Sequence, residues 1–589
     1  MPTGSLRSFA SKMPDGILSG IFARDMRGYR IAAVVISLYL SAAVVLDTTI
    51  EWAGIDWAIS KEALFPGGWP RSFGVSMILE WLAIAAVIWF CMLVVAQIVA
   101  RGTAYSVKES GENSRSGYFR FVSAHKKAAG AAFALIMVFW LILLAVYFPG
   151  ASMNDQITIV DNPWGNASVH PVIYVFPLAW FVQLSNDLFQ TGNIGFAAFV
   201  VLQMVFSATI ATLCIMWLAY RKAPRWVCVI AVLFFALNPV VADYAITSIK
   251  DTPFAYALLL LMPIMYELFD QGPQAFFAKR GHCVCLIVAC MLVGITRNNG
   301  PYIVCGIAVI VLVMAIRGSR IREGLCVVVL SVALAFAPNA IADRALGIQH
   351  QFSESLSIPL QQLAAVQCLD GTMSDAEAEF IGHVFMPGAA KRNYCPGFAD
   401  PVKLNLAEKV IDVDYIQAHR LEFMTNWLSI GLKNPVTYIK AWLAETYGCW
   451  SLSAPNSAQS YFQELSANTP GSEYWDGLVE QVGLKNDPLL PDRLAGAMMR
   501  AHGRYLTCPS PGALFAAMLV LAFIAMWREK KTAAMATVAP GVLLWLTLFI
   551  STPLSTALRY GFLFLIALPV LAGMCGFALD PKRKKELSS

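Results

Sequence analysis

Four groups of polar residues interrupt an otherwise apolar sequence, and their side chains are those that group transfer needs. The first reads Tyr147-Phe148-Pro149-Gly150-Ala151-Ser152-Met153-Asn154-Asp155-Gln156, with Asp161 and His170-Pro171 downstream. The second holds Asp243-Tyr244 and Ser248-Ile249-Lys250-Asp251. The third is Thr296-Arg297-Asn298-Asn299-Gly300, and the fourth is Leu558-Arg559-Tyr560. A carboxylate such as Asp155 can take a proton from an attacking hydroxyl. Lys250, Arg297 and Arg559 can hold a phosphate and stabilise charge on it as it departs. Asp161, His170, Asp251, Asn298 and Tyr560 complete the candidate substrate-binding set. Phosphate leaves readily, so no general acid is required. One lipid-phosphate donor and one hydroxyl acceptor would account for both signs of charge. Each piece also has a plainer role. Asp155 can end a turn or cap a helix, and His170 can be a loop residue. Lys250-Asp251 can be an ion pair at a helix start, and Arg297 and Arg559 can snorkel to a membrane interface.

Membrane-spanning helices must position these groups. Of 589 residues, 58% are hydrophobic and 14% charged, with a mean hydropathy of +0.60. Soluble domains average about 45–50% and about 25%. The composition excludes a soluble globular enzyme, a disordered chain, and a nucleic-acid binder reliant on Lys and Arg. A spanning helix needs about 17–25 mostly apolar residues. Twelve stretches qualify: 31–49, 76–100, 129–148, 196–220, 226–243, 252–269, 281–298, 300–316, 323–340, 511–527, 534–551 and 557–579. The first starts late and is followed by Asp47 and Glu51, so it is not a signal peptide.

Lys and Arg in short loops favour the cytoplasm. The basic clusters include Arg7/Lys12/Arg24/Arg27/Arg30, Lys108/Arg115, Arg221/Lys222/Arg225, Lys279/Arg280, Arg317/Arg320/Arg322, Arg528/Lys530/Lys531 and Lys582/Arg583/Lys584/Lys585. Twelve crossings place all of them inside, with both termini in the cytoplasm and the four polar groups outside. The stretch 149–195 has no Lys or Arg, which fits the outside. His170 to Leu188 is apolar enough to cross, but a crossing there would invert everything downstream. It is expected to lie along the interface or to re-enter, which protein or water must then cover.

Residues 341–510 differ, holding 18 of the 38 acidic residues and 12 basic ones. A mainly helical external domain is expected, with periodicity near 402–428 and 433–447. Turns are expected at Met386-Pro387-Gly388, Cys395-Pro396-Gly397 and Thr469-Pro470-Gly471. Of thirteen cysteines, four (Cys368, Cys395, Cys449, Cys508) fall in this region, an even number that suggests two disulfides. The pairing expected is Cys368–Cys395 and Cys449–Cys508. The expected fold is therefore an all-α polytopic membrane protein in five parts. These are 1–127 (a cytoplasmic segment and two spans), 128–340 (a seven-span core), 341–510 (the external domain), 511–579 (three spans) and 580–589 (a basic tail).

The order of these features resembles the GT-C superfamily of membrane glycosyltransferases. The residues that carry the likeness are Phe148-Pro149-Gly150…Asp155-Gln156, His170-Pro171, Lys250-Asp251, Arg297-Asn298-Asn299-Gly300, Leu356-Ser357-Ile358-Pro359-Leu360-Gln361-Gln362, and Trp427…Asn434-Pro435…Tyr438…Trp450. The likeness covers roughly 129–450, and Arg559-Tyr560 matches a late span. It implies a seven-span module made of spans three to nine, with 149–195 as its first external loop. It implies a polyprenyl-phosphate-linked sugar donor, inversion at the anomeric carbon and Asp155 as base on an envelope lipid, glycan or protein acceptor. Lys250, Arg297 and Arg559 would face the donor phosphate, at the outer side of a bacterial cytoplasmic membrane. Several such families carry two adjacent acidic residues in this loop, whereas here Gln156 follows Asp155. A second carboxylate would have to be Asp161 or come from elsewhere. That departure puts a divalent metal, Mg²⁺ or Mn²⁺, in doubt and favours Asp155 acting alone. The competing readings are a flippase or transporter of a lipid-linked saccharide and a scaffold protein. Transporters usually show internal repeats, and none is visible here.

Overall fold

The computed structural model describes residues 21, 26–49, 75–102, 117–152, 154–350, 352–404, 409–454, 482–529, 531–552, 554 and 556–577. The clusters containing Arg7, Lys12, Arg24, Lys108 and Arg115, the turn at Thr469, Lys530 and the tail 580–589 lie outside the described residues. Among the described residues the chain is helical, and β structure is limited to isolated bridges.

The long helices are α1 (Arg27–Thr49), α2 (Val75–Gly102), α3 (Lys126–Val146), α4 (Asn154–Asp161), α5 (Val172–Phe189), α6 (Asn193–Tyr220), α7 (Arg225–Leu237) and α8 (Pro239–Ile246). They continue as α9 (Asp251–Asp270), α10 (Arg280–Thr296), α11 (Gly300–Arg317), α12 (Ile321–Leu346), α13 (Ser357–Cys368), α14 (Asp375–Val384), α15 (Arg420–Lys433) and α16 (Pro435–Glu445). The last four are α17 (Asp492–Tyr505), α18 (Pro511–Glu529), α19 (Ala539–Leu548) and α20 (Leu558–Met574). Among the described residues nine helices are long and apolar enough to cross a membrane, or ten if the α7–α8 pair counts as one. Shorter apolar helices lie at α10, 533–548 and α20. The protein is thus an all-α, multi-pass membrane protein. Its centre is built on α9 and α18, which are apolar on every side and wrapped by other helices.

Several boundaries differ from those read in the sequence. The stretch 226–243 is two helices bent by 53°. Asn238 causes the break: it precedes Pro239, which disfavours helical backbone. Its side chain caps α8 by accepting from Val240 N at 3.0 Å and Val241 N at 3.1 Å. Helix α12 runs past 340 to Leu346 and stops at Gly347, whose φ of +69° suits glycine. The periodicity near 402–428 resolves into Asp400–Lys403, Val413–Ala418 and α15.

The expected disulfides are not formed: Cys368, Cys395, Cys449 and Cys508 stand as thiols. Cys449 and Cys508 pack into the main apolar core and Cys368 against the core of the external domain. A buried thiol there acts as a small hydrophobe. That second core gathers Leu360, Leu363, Val384, Ile416, Phe423 and Ile430 from α13, α14, α15 and their connections.

Two polar ends define the bundle. At one, Arg221 after α6 pairs with Glu267 and Asp270 of α9, and Lys531 after α18 bonds Asp270 at 2.5 Å. At the other, segment 482–489 ties helix ends together. Leu489 N donates to Ala145 O of α3 at 2.8 Å, Asn186 Nδ2 of α5 to Val482 O at 3.1 Å, and Asn193 Nδ2 of α6 to Lys485 O at 2.8 Å. The start of α5 is held at this same end. Asn298 Nδ2 donates to Val169 O at 2.9 Å, and His350 Nδ1 bonds Ser168 O at 2.8 Å. Both ends of α5 are therefore fixed at the end of the bundle away from Arg221.

Helices α1 and α2 pack on α18, where Trp527 Nε1 donates to Gln97 Oε1 at 3.0 Å. Asp47 at the end of α1 accepts from Leu452 N at 2.9 Å, tying this pair to the exit of the external domain.

Candidate functional site

The first polar group is strapped to the second by backbone. Ala151 N donates to Ile246 O and Ser248 N to Ala151 O, each at 3.0 Å, forming a parallel bridge of Ala151 with Thr247. Gly150 permits this approach. Its φ is +132°, and a Cβ there would lie 2.9 Å from Ile246 O. Buried Gln203 of α6 holds the other strand of the strap. Its Nε2 donates to Thr247 O at 2.7 Å and its Oε1 accepts from Ile249 N at 3.4 Å. Asp155 and Lys250 therefore hang from one braced unit.

Asp155 lies in the first turn of α4, where the helix dipole favours a carboxylate. Gln156 beside it turns inward and is buried, donating from Nε2 to Tyr174 Oη at 3.3 Å. Tyr174 Oη in turn donates to Ser248 O at 3.0 Å. The residue standing where a second carboxylate was considered thus links α4, α5 and the strap.

Asp155 Oδ2 accepts from Arg559 Nη1 at 3.2 Å. Arg559 also donates from Nη2 to Tyr560 Oη at 2.7 Å, its guanidinium carbon 4.8 Å from the centre of that ring. The Arg297 guanidinium carbon lies 4.7 Å from the same ring. Arg297 Nη1 is 2.8 Å from Oδ1 of buried Asp251, an ion pair. Lys250 Nζ bonds His170 Nδ1. The side chains of Arg297 and Arg559 are only 13% and 15% exposed, so they point into the protein and do not snorkel. Lys250 pairs with His170, not with Asp251, so the helix-start ion pair is not formed.

The charges act on one another. Burial alone would raise the Asp155 carboxyl, but the charges of Arg559 and Lys250 outweigh it and hold it well below the usual carboxylate range. Burial, reinforced by the Lys250 charge, lowers His170 to about 3, so its imidazole is neutral near pH 7. Burial also lowers Lys250, to about 8, against the pull of Asp155 and Asp251.

The domain of residues 352–454 adds residues that the sequence reading missed. Lys403 Nζ pairs with Glu354 at 2.8 Å and Asp400 at 3.6 Å. Burial raises Asp400, and the charges of Arg559 and Asp155 reach it. Asp400, in the short helix Asp400–Lys403, is thus a second carboxylate within electrostatic reach of Asp155. Nothing local marks Asp400, which reads as an Asp-Pro turn. Gln203 did carry a signal, since a lone amide in an apolar span is costly.

The structure thus gathers Asp155, His170, Lys250, Asp251, Arg297, Arg559 and Tyr560. Asn298 supports them by holding the turn before His170. Asp161 does not join them: it is exposed at the far end of α4, about 9 Å along the helix axis from Asp155. Among the described residues no three His, Cys, Asp or Glu side chains gather to hold a metal. The cations around Asp155 would also repel a divalent ion.

Neither the curated proteins nor the solved structures contain a match to this chain. A family pattern does match, over residues 161–585, which takes in every gathered residue except Asp155. The chain belongs to DUF6020, a family of unknown function.

Proposed function

We propose that the protein is a membrane glycosyltransferase of the GT-C kind, moving a sugar from a polyprenyl-phosphate carrier to an acceptor hydroxyl of the cell envelope. The observation that carries this reading is the composition of the cluster. Asp155 lies among Lys250, Arg297 and Arg559, and these cations outnumber the carboxylates Asp155 and Asp251 paired with them. The surplus positive charge suits a phosphate, and the carboxylate suits a hydroxyl.

In the proposed reaction the acceptor proton passes to Asp155 as the acceptor oxygen attacks the anomeric carbon. The bond from that carbon to the phosphate oxygen breaks, and its electron pair leaves with the polyprenyl phosphate. Lys250, Arg297 and Arg559 take up that charge. Attack opposite the leaving group inverts the centre. Without donor, Arg559 keeps Asp155 ionised but weakly basic. A bound phosphate would draw Arg559 toward itself and strengthen Asp155 as a base. Proton abstraction is then coupled to the presence of donor. His170 is neutral and positions the Lys250 ammonium.

In this reading the Arg221 end, rich in Lys and Arg, is cytoplasmic. Helix α5 lies along the opposite interface, the other twelve apolar segments cross, and the site faces outward from a bacterial cytoplasmic membrane. Transporter sites sit near the bilayer midplane. This cluster sits at helix ends, which favours surface chemistry over transport.

The test is transfer from synthetic polyprenyl-phosphate-linked hexoses by the purified full chain in vesicles. Asp155→Asn should fold normally and lose about 10²–10⁴-fold in rate, and EDTA should leave the unaltered protein's rate unchanged. A folded Asp155→Asn variant of undiminished rate would refute the base assignment.

A further inference from the structure

Helices α15 and α16 of the external domain are amphipathic in an unusual sense. One face of each is buried in that domain's own core, through Phe423 and Ile430 of α15 and Tyr438 and Ala441 of α16. Tyr438 Oη donates to Trp427 O at 2.8 Å, so the two helices pack back along each other. A water-facing helix should then be polar on its free face. Here a stripe of the free face is apolar, beside exposed Glu422 and Thr425. Leu421, Met424, Leu428 and Leu432 recur at three- and four-residue spacing, and Val436 and Ile439 continue the stripe on α16. Leu421 is 83% exposed, Leu432 76% and Val436 62%.

The stripe is confined to this hairpin. Among the described residues of 347–454, every exposed large hydrophobic side chain except Leu369 belongs to it. Helix α14, in the same domain, exposes none.

The stripe is also continuous with the apolar outside of the bundle. Trp442 Nε1 of α16 donates to Phe549 O at 2.9 Å, just past the end of α19. Leu443 of α16, Phe549 and Leu46 all pack against the cluster of Tyr447, Trp450 and Ala454. Leu546 and Ile550 beside that contact are exposed in the same way. Lys440 borders the stripe on α16, as basic residues border helices that lie on lipid, whereas Lys433 at the end of α15 is turned to Glu377 at 2.7 Å.

We infer that the exposed face of α15 and α16 lies in the interfacial layer of the bilayer, so that lipid covers it. The hairpin then anchors the domain of residues 352–454 down on the membrane. The inference requires only that the bundle be membrane-embedded, and it stands apart from the chemistry proposed above.

The test uses the full chain in nanodiscs of phosphatidylethanolamine and phosphatidylglycerol, doped with a phospholipid bearing a diazirine in its acyl chain. Photolysis and peptide mapping locate the adducts. Adducts on 420–440 should come within about threefold of those on the exposed face of α12 and exceed those on α14 about tenfold. The double variant Leu428→Gln/Leu432→Gln should lose about fivefold or more of the 420–440 adducts while α12 labelling is unchanged. Labelling of 420–440 no higher than that of α14 would overturn the inference. So would chemical crosslinks showing this face covered by residues 50–74 or 455–481 of the same chain, or by a second protein.

Discussion

Lys250 offers a direct reading of the cluster through pH. Burial lowers it from 10.5 to about 8, so the folded protein disfavours its charged form. The unfolded chain binds the extra proton between those values, so this residue adds stability as pH rises from about 8 toward 10.5. Its role toward a phosphate runs the other way, since only the ammonium can hold the charge. We therefore expect kcat/KM to fall as pH rises through about 8. Lys250→Arg should remove that fall, because a guanidinium stays charged. A fall that persists in Lys250→Arg would assign the titration elsewhere. At this scale the sequence marked residues that the fold brings together: Asp155, Lys250, Arg297 and Arg559 stood out because charge is costly beside apolar stretches. It could not pair them. Whether Arg297 reaches Asp251 or the membrane surface depends on how α10, α9 and α20 pack, which no local pattern encodes. Asp400 and Lys403 were invisible for the same reason.

The strap between Ala151 and Thr247 decides whether the residues act as a site. A methyl at Gly150 meets both a left-handed backbone and the Ile246 carbonyl at 2.9 Å. Gly150→Ala should cost about 1–3 kcal/mol of stability and, more tellingly, lower transfer by displacing Asp155 and Lys250 together. Gly130→Ala in α3 is the control, since no atom lies within 4 Å of its Cβ. Thermal unfolding and transfer rate for the two variants check the contrast. Equal behaviour would mean the strap tolerates movement. The apolar stretches were legible as helices because each is long and continuously hydrophobic. The strap was not, since it joins segments almost a hundred residues apart by backbone bonds any sequence can make. Proline punctuation was partly legible: Asn238-Pro239 breaks the span that hydropathy alone read as whole.

The whole molecule depends on α5. By length and hydropathy it qualifies as a span, though it is the least apolar of the nine among the described residues. Its contacts argue otherwise, because Ser168 at one end and Asn186 at the other are both bound to segments at the end of the bundle away from Arg221. If α5 crossed, Arg221, Glu267 and Asp270 would share a side with residues that the rest of the packing puts opposite them. The expected arrangement is testable by labelling single cysteines in a cysteine-free full chain with a membrane-impermeant maleimide. Trp164→Cys and Gln190→Cys flank α5 and are exposed; both should label from outside intact cells. Arg225→Cys, exposed at the opposite end of the bundle, should label only after the membrane is opened. Labelling of Trp164→Cys and Gln190→Cys from opposite sides would make α5 a true span. The cytoplasmic assignment of the Arg221 cluster would fall with it, because two crossings, α5 and α6, would then put that cluster on the same side as Asp155.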